Sequence, residues 1–356
     1  MRIGIDCRYV RIGRHDGISR FTAGVVAHLP DRHDYVLLVS DERQLESLPS
    51  DLPWELLPAP TDAGEPLVAR RVNRIGLDAV FSPMQTMGSR GRRYALVLTL
   101  HDLIYYRNRT PPREFSWPLR LGWRAFHLSW APQRFLLNGA DGVVTVSETT
   151  AGLIAEHRLT RRPVTVAYNA ADPATPRVAG APRGRSLVYM GSFMPYKNVE
   201  TLAAALPLLG ADWTLQCMSR VSDADRARLE ALAPTGTIVF HDGATDEEYL
   251  SVLRSATALA TASYDEGFGI PLVEAMGVGT PVVVSDIPIF REIGGSAAEY
   301  FDPASPSALA AAVRRVEERW DEASRQSIER AGRFRWQDSA EQVVRAVERA
   351  VGDRRG

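Results

Sequence analysis

The 356-residue sequence predicts an α/β protein with two doubly wound, parallel-sheet domains. Short apolar strand-like runs alternate with helical stretches, the alternation occurs in two series, and a segment rich in Pro, Gly and Ala separates them. The composition is 45% hydrophobic and 24% charged with a formal net charge of −1, which suits a globular chain with two cores.

The elements follow in order along the chain. The first series of strand-like runs covers 2–7, 35–40, 79–82, 95–100 and 142–146, and the second covers 186–190, 213–217, 237–240, 256–261 and 281–285. The segment 169–185 has neither a helical nor a strand period, and an amphipathic helix follows Trp336. We therefore expect an N-terminal domain at 1–170, a C-terminal domain at 171–336, and a crossover helix at 337–356 that packs back on the first domain.

The two cysteines, Cys7 and Cys217, lie far apart in strand-like runs and predict buried thiols in a reducing compartment. No run reaches the roughly 18 apolar residues of a membrane-spanning helix. The N-terminus lacks the apolar block of a signal peptide. These features predict a cytoplasmic protein, with contact at the inner face of the membrane as an open alternative.

Ligands of open parallel sheets bind beyond the carboxyl ends of the strands. With two such domains, the expected ligand site is the cleft between them, built from loops that follow strands.

Lys197 is the single lysine among 42 Lys and Arg residues. A coding bias towards arginine explains the missing lysines, but this position kept a compact ammonium where a planar guanidinium would differ. Lys197 follows a strand-like run and a turn, and it stands where a helix begins, so N–H groups and the helix dipole favour an anion there. The sequence therefore predicts an anion site, most naturally for a diphosphate. Tyr196 precedes the lysine where a Walker A loop needs glycine.

A second cluster, YDEGFGIPLVE, covers 264–274 and follows the strand-like run 256–261. Gly267 and Gly269 would let the backbone approach a ligand closely. Glu266 lies in the loop and Glu274 in the following helix, and carboxylates accept hydrogen bonds from sugar or ribose hydroxyls. The alternative is that both are solvated surface residues, but the density of the cluster favours binding.

The two glutamates around Glu-Gly-Phe-Gly-Ile-Pro-Leu-Val-Glu resemble the signature of family 4 glycosyltransferases (glycosyl transferases group 1). The loop 191–198, the strand 280–285, the glycine loop at 16–17 and the last helix fall in the family's order, so the resemblance covers almost the whole chain. It implies the GT-B fold of two Rossmann-like domains facing a cleft. It also implies a retaining, metal-independent transfer of a hexosyl group from a nucleotide-diphosphate sugar, with no cofactor.

By this resemblance, Lys197 would bind the donor diphosphate, Glu266 the hydroxyls of the transferred sugar near the reacting centre, and Glu274 the ribose. The backbone of Gly267, Phe268 and Gly269 would contact the sugar, and Gly17 would let the first loop approach the diphosphate. The acceptor hydroxyl would attack from the front face while the leaving phosphate takes its proton. GDP-mannose is the first choice of donor, ahead of UDP- and dTDP-sugars. The acceptor would be a glycan, a lipid-linked saccharide or a small molecule.

The sequence also departs from the family pattern. Ser192 stands after the loop glycine where many members carry arginine, and Tyr196 replaces a second common arginine. One of the two usual cations on the leaving diphosphate is therefore missing from the donor loop, and Arg14 and Arg20 are candidates to replace it.

His101 follows the strand-like run 95–100, where the family has a catalytically important histidine. The resemblance implies that it binds the donor sugar or a nearby acceptor group. The alternative, a loop histidine bonded to backbone, is less favoured.

The segment 107–135 holds six arginines and one acidic residue, and Leu119, Trp123, Phe126 and Trp130 fall on one helical face. A basic helix with tryptophans can bind an anionic membrane. We favour the alternative, in which the aromatic face packs into the N-terminal domain.

Other classes of site lack support in the sequence. No zinc-ligand spacing, paired Asp-x-Asp or nucleic-acid motif is present, and no Gly-x-Gly-x-x-Gly follows the first strand. A phosphorylase holding pyridoxal phosphate on Lys197, a sugar-nucleotide epimerase and a non-catalytic sugar-nucleotide-binding subunit remain alternatives.

Overall fold

The computed structural model describes residues 1–13, 16–49, 51–111, 115–172, 174–178, 183–234 and 237–355. The chain forms two compact units. The first comprises Met1–Ala170 together with Arg335–Gly356, and the second comprises Ala171–Phe334. Each unit is described by itself below.

The first unit is built on a parallel sheet in which the described residues form seven strands. They are β1 (Arg2–Asp6), β2 (Asp34–Val39), β3 (Trp54–Leu56), β4 (Ala79–Ser82), β5 (Ala95–Leu100), β6 (Gly142–Thr145) and β7 (Val164–Val166). Their order across the sheet is β3-β2-β1-β4-β5-β6-β7. In register, Ile5 of β1 lies opposite Leu37 and Phe81. Every residue of the inner strands β4, β5 and β6 is buried, as expected for a parallel sheet covered on both faces.

The second unit repeats this architecture with a six-stranded parallel sheet among its described residues. Its strands are β8 (Ser186–Tyr189), β9 (Thr214–Cys217), β10 (Thr237–Phe240), β11 (Ala258–Thr261), β12 (Val282–Ser285) and β13 (Ala298–Phe301), in the order β10-β9-β8-β11-β12-β13. Because β8 lies between β9 and β11, the loops that leave these three strands adjoin at one edge of the sheet.

Helices cover the faces of both sheets. In the first unit they are α1 (Gly17–Val26), α2 (Ala69–Ile75), α3 (Ile104–Arg107), α4 (Trp117–Phe126), α5 (Ala131–Asn138) and α6 (Glu148–Glu156). In the second unit they are α7 (Val199–Leu209), α8 (Asp223–Leu232), α9 (Asp246–Ser255), α10 (Ile270–Gly277), α11 (Pro288–Gly294), α12 (Pro306–Glu318) and α13 (Trp320–Ala331). Short 3-10 turns lie at Glu42–Ser47, Glu65–Leu67, Pro195–Lys197 and Gly295–Ala297.

The last helix, α14 (Trp336–Arg355), belongs to the first unit. It packs on α1 and on strands β4 to β7. Its apolar face, with Val343, Val344 and Val347, is buried. Trp336 lies so close to α1 that a Cβ at Gly24 would be 2.4 Å from its indole ring, which explains the glycine there.

The doubly wound α/β fold predicted from the sequence is confirmed. Three strands, β3, β7 and β13, were not predicted: all three lie at sheet edges, and none is a continuous buried run of the kind that marks an inner strand. Cys7 and Cys217 are both buried free thiols, and burial raises the pKa of each.

Candidate active site

The loop that carries Lys197 leaves β8 through a tight turn. Tyr189 is buried, and its hydroxyl donates a hydrogen bond to the Ser192 carbonyl at 2.6 Å. A Cβ at Gly191 would lie 2.8 Å from that hydroxyl, so the turn requires glycine. Phe193 packs edge-on against the Tyr189 ring with 5.8 Å between centroids. The buried Tyr189 side chain therefore fixes this turn, and Ser192 contributes its backbone carbonyl to the contact.

Asn198 holds the far end of the same loop. Its backbone is left-handed, with φ 50° and ψ 44°, a conformation that asparagine tolerates better than most residues. Its side-chain amide donates to the carbonyls of Ala262, at 3.2 Å, and Pro303, at 2.7 Å. The Tyr264 amide also donates to the Tyr196 carbonyl at 2.8 Å. These bonds join the loop after β8 to the loops after β11 and β13.

The structure brings Lys197 and Glu266 together at this junction. The Lys197 ammonium lies 2.5 Å from Glu266 Oε1, and the two side chains are only 15% and 14% exposed. The Ser263 hydroxyl donates to the same carboxylate oxygen at 3.0 Å. The Tyr196 ring lies 5.2 Å from the ammonium, within cation–π range. The cation and the carboxylate thus form one charged pair, although 69 residues separate them in sequence.

The glycine-rich loop and α10 hold the remaining residues of the second cluster. Gly269 has φ 95° and directly precedes α10, and a Cβ there would lie 3.2 Å from the Phe290 ring. Phe268 is buried edge-on against Phe334, so a ligand contact at this position would come from the backbone. Glu274 is 8% exposed, so it is not the solvated helix-surface residue that we considered as an alternative.

Arg220 is a further cation at this edge that the sequence analysis missed. It follows β9, next to Ser219, whose hydroxyl accepts a hydrogen bond from the Gly191 amide at 3.1 Å. Its exposed side chain packs on the loop after β10, where a Cβ at Gly243 would be 3.0 Å from Arg220 Cγ. Within the described ranges Arg220 has no ion pair. The sequence offered one signal for Arg220, namely a cation in the loop that follows the strand-like run 213–217.

The other two candidates for the missing cation belong to the first unit. Arg20 lies in α1. Arg14 lies outside the described residues.

His101 directly follows β5 in the first unit, as predicted, and it is bonded to backbone, as in the alternative that we favoured less. Its Nε2 lies 2.8 Å from the Pro83 carbonyl oxygen, which can only accept, so Nε2 donates and Nδ1 of the neutral ring is an acceptor. The ring packs edge-on against Phe21 of α1 at 5.3 Å. Burial lowers the pKa of His101 despite the opposing effect of the bond to Pro83. The neutral imidazole can therefore accept a hydrogen bond from a hydroxyl.

Gly17 is the first residue of α1 and is exposed. Asp16 caps this helix by accepting from the Ser19 amide at 2.9 Å. The cap satisfies one of the free N–H groups at the helix N-terminus. Asp16 also pairs with Arg11 at 2.5 Å.

The aromatic face of 107–135 packs only in part as we expected. Phe126 and Trp130 are half-buried against the core of the first unit, and Trp130 stacks on Tyr106 at 3.9 Å. Leu119 is 53% exposed, so the expectation of a packed position was wrong for this residue. The rest of α4 also contains no buried residue. Other large apolar side chains here are also exposed: Trp117, Leu121, Leu128 and Phe135.

Within the described ranges, no group of three or more His, Cys, Asp or Glu side chains could hold a metal ion. In the same part of the chain, no helix has the length and apolar character needed to cross a membrane.

Both halves of the chain match protein-family models. Residues 15–175 match the model described as Glycosyltransferase Family 4, and residues 177–334 match the model described as Glycosyl transferases group 1. An O-antigen chain mannosyltransferase of Salmonella typhimurium is 27% identical over 187 residues, which cover 51% of this chain and 53% of the relative. A phosphatidyl-myo-inositol mannosyltransferase of Mycolicibacterium smegmatis is 33% identical over 190 residues, covering 50% and 48%. The matched part thus spans about half the length of these relatives.

Solved structures resemble the chain over nearly its whole length. A sucrose-phosphate synthase from Thermosynechococcus elongatus superposes with a TM-score of 0.72 at 18% identity, covering 99% of each chain. HepE from Anabaena, solved with UDP and glucose, gives a TM-score of 0.71 at 17% identity, covering 98% of this chain and 100% of the other. At these identities the likeness shows the fold.

Proposed function

We propose that this chain, which belongs to the family 4 glycosyltransferases of the GT-B fold, transfers a hexosyl group from a nucleotide-diphosphate sugar to an acceptor hydroxyl. The observation that carries this proposal is the junction of the loops after β8 and β11. It holds one ammonium, from Lys197, beside one carboxylate, from Glu266, at 2.5 Å. A phosphate group and a sugar hydroxyl are the partners that these two groups fit.

The proposed reaction retains the anomeric configuration and needs no metal ion. The bond between the sugar C1 and the diphosphate oxygen breaks, and its electron pair leaves with the diphosphate. The acceptor oxygen forms the new bond to C1 and gives its proton to the leaving phosphate. Lys197 stabilises the negative charge that develops there. Glu266 orients the sugar hydroxyls, Glu274 binds the ribose, and His101 Nδ1 accepts from a substrate hydroxyl.

Mannose is the sugar that we propose, with GDP-mannose as the donor. The support is the similarity to mannosyltransferases of 27% and 33% identity. These relatives are named for O-antigen chains and phosphatidyl-myo-inositol. We accordingly propose a glycan or a lipid-linked saccharide as the acceptor, ahead of a small molecule.

The acceptor class suggests peripheral contact with the inner face of the membrane. Trp117 and Phe135 are 76% and 81% exposed, and Leu121 is also exposed. Arg120 and Arg124 lie on α4 together with Trp117 and Leu121. Residues 1–170 carry a formal charge of +5 from 22 Arg and 17 Asp and Glu. Exposed tryptophan and leucine beside arginine fit an anionic lipid surface.

Vesicle sedimentation tests this contact. We expect binding to vesicles with phosphatidylglycerol, little binding to phosphatidylcholine alone, and loss of binding in Trp117→Ser/Leu121→Ser. Leu56→Ser is the matched control, because Leu56 is an exposed leucine of the same unit outside this segment. Equal binding by the two variants would contradict the contact.

A thermal-shift panel of GDP, UDP, GDP-mannose, UDP-glucose and dTDP-glucose tests the main proposal. A ligand that binds only the folded chain raises the melting temperature. We expect the largest rise with GDP-mannose, and a much smaller rise in Lys197→Ala. A lack of response to every nucleotide and nucleotide sugar would reject the proposed function.

A further inference from the structure

In the Lys197–Glu266 pair, the ammonium and the carboxylate bind each other, and these are the same two groups that we propose to bind the donor. The ammonium lies 2.5 Å from Glu266 Oε1. Under the proposed function, on which this inference rests, the diphosphate takes the ammonium and sugar hydroxyls take the carboxylate. Donor binding therefore competes with this ion pair for both groups.

The backbone on both sides of the pair is fixed, so the exchange falls to the side chains. Asn198 donates to the carbonyls of Ala262 and Pro303, and the Tyr264 amide donates to the Tyr196 carbonyl. The lysine stem is flexible, and its ammonium can turn from one oxygen to another without moving these loops. Ser263 keeps a hydrogen bond to Glu266 Oε1 at 3.0 Å and holds the carboxylate in place.

A nucleoside diphosphate and its sugar conjugate differ in what they offer this pair. The free diphosphate attracts Lys197 but leaves the Glu266 carboxylate without its cation and close to another anion. The sugar conjugate also brings hydroxyls that donate to the carboxylate. A hydrogen bond to a charged acceptor is stronger than one between neutral groups, so the sugar offsets the loss of the ion pair.

We propose that the Lys197–Glu266 ion pair makes the site discriminate between the sugar donor and the nucleoside diphosphate product. Glu266 weakens binding of the diphosphate alone and strengthens binding of the conjugate. After transfer, the carboxylate competes for Lys197 and promotes release of the product. Glu266 is thus a specificity-determining residue as well as a sugar ligand.

The test compares affinities of the full chain by calorimetry for GDP and GDP-mannose, and for UDP and UDP-glucose. We expect Glu266→Gln to bind the nucleoside diphosphate about tenfold more tightly than wild type, while binding of the sugar conjugate is unchanged or weaker. Glu274→Gln is the matched control. Its proposed partner, the ribose, is present in both ligands, so both affinities should fall by a similar factor.

The outcomes separate failure of this inference from failure of the proposed function. Glu266→Gln that weakens both ligands, or changes both equally, would overturn the inference and leave the proposed function standing. Wild-type protein that binds neither class of ligand would overturn both. Glu266→Ala repeats the test if the glutamine variant melts below the wild type, and the same shift of preference towards the nucleoside diphosphate is expected.

Discussion

Two buried or half-buried ion pairs stand at the carboxyl edges of the two sheets, and they differ in how firmly they are held. In the first unit, Arg8 follows β1 and contacts Asp6 at 2.8 Å and Glu65 at 2.7 Å, with Arg8 and Asp6 side chains fully buried. The Pro58 carbonyl and the Ser82 hydroxyl add further bonds to this cluster. In the second unit, Lys197 contacts Glu266 through one oxygen, and both remain partly accessible.

This difference separates a pair that stabilises the fold from a pair that can exchange partners. Arg8 uses its guanidinium fork on two carboxylates and a carbonyl, and burial leaves it no other partner to take. Burial alone would lower the pKa of Arg8, but Asp6 and Glu65 outweigh it and raise the pKa. Lys197 has one carboxylate partner and a flexible stem, so a stronger anion can replace that partner.

The largest effect on stability is expected from Arg8→Met. It leaves two carboxylates, Asp6 and Glu65, near each other without their cation, a loss of about 3–5 kcal/mol in the free energy of unfolding. Lys197→Met should cost less than Arg8→Met, since it leaves a single carboxylate, which is partly accessible and keeps the Ser263 hydroxyl. Urea unfolding followed by fluorescence measures both. Similar losses in the two variants would contradict the distinction between the pairs.

Loss of Lys197 should lower activity far more than it lowers stability. We expect Lys197→Ala to lower the rate of transfer by roughly 10²–10³-fold, because a cation on a developing negative charge is removed, while the melting temperature changes little. Lys197→Arg should also be impaired, since a planar fork cannot take the place of a compact ammonium. Initial rates at saturating donor measure this. Full activity of the arginine variant would refute the geometric argument.

A smaller effect is expected at Arg220. If it supplies the second cation of this edge, Arg220→Gln should raise KM for the donor by about tenfold with a lesser change in kcat. Arg325→Gln is the matched control, an exposed arginine on α13 of the same unit. Steady-state kinetics at varied donor concentration measures both variants, and equal KM values would leave Arg220 without a role in binding.

The smallest effect concerns pH and His101. Its pKa is lowered by burial in the folded chain, so the unfolded chain binds more protons at mildly acidic pH. The resulting contribution to stability is full above the ordinary histidine pKa and is lost as the pH falls through that value towards the lowered one. We expect wild type to lose more thermal stability than His101→Gln between about pH 7.5 and about pH 5. Parallel melting curves of the two proteins would contradict burial as the cause.

The fold followed from the sequence because long apolar runs such as 95–100 alternate with helical periods. The strands β3, β7 and β13 did not, because each lies at a sheet edge and is not a continuous buried run. At the site, the positions of Lys197 and Glu266 after strands could be predicted, but their direct pairing could not. It depends on β8 and β11 being neighbours, which strand order alone decides. Two partners of Arg8, the Pro58 carbonyl and Glu65, lie 50 and 57 residues away in sequence, beyond any local pattern.

Helix α14 has a consequence for synthesis of the chain. The first unit precedes the second along the chain, yet its strands β4 to β7 and helix α1 are covered by α14, which is made after the second unit. Until Trp336 and the valines behind it leave the ribosome, the apolar face against which they pack stays exposed, while the second unit can already fold. A frameshift or stop shortly before Trp336 would therefore damage the earliest part of the product and leave the later part able to fold.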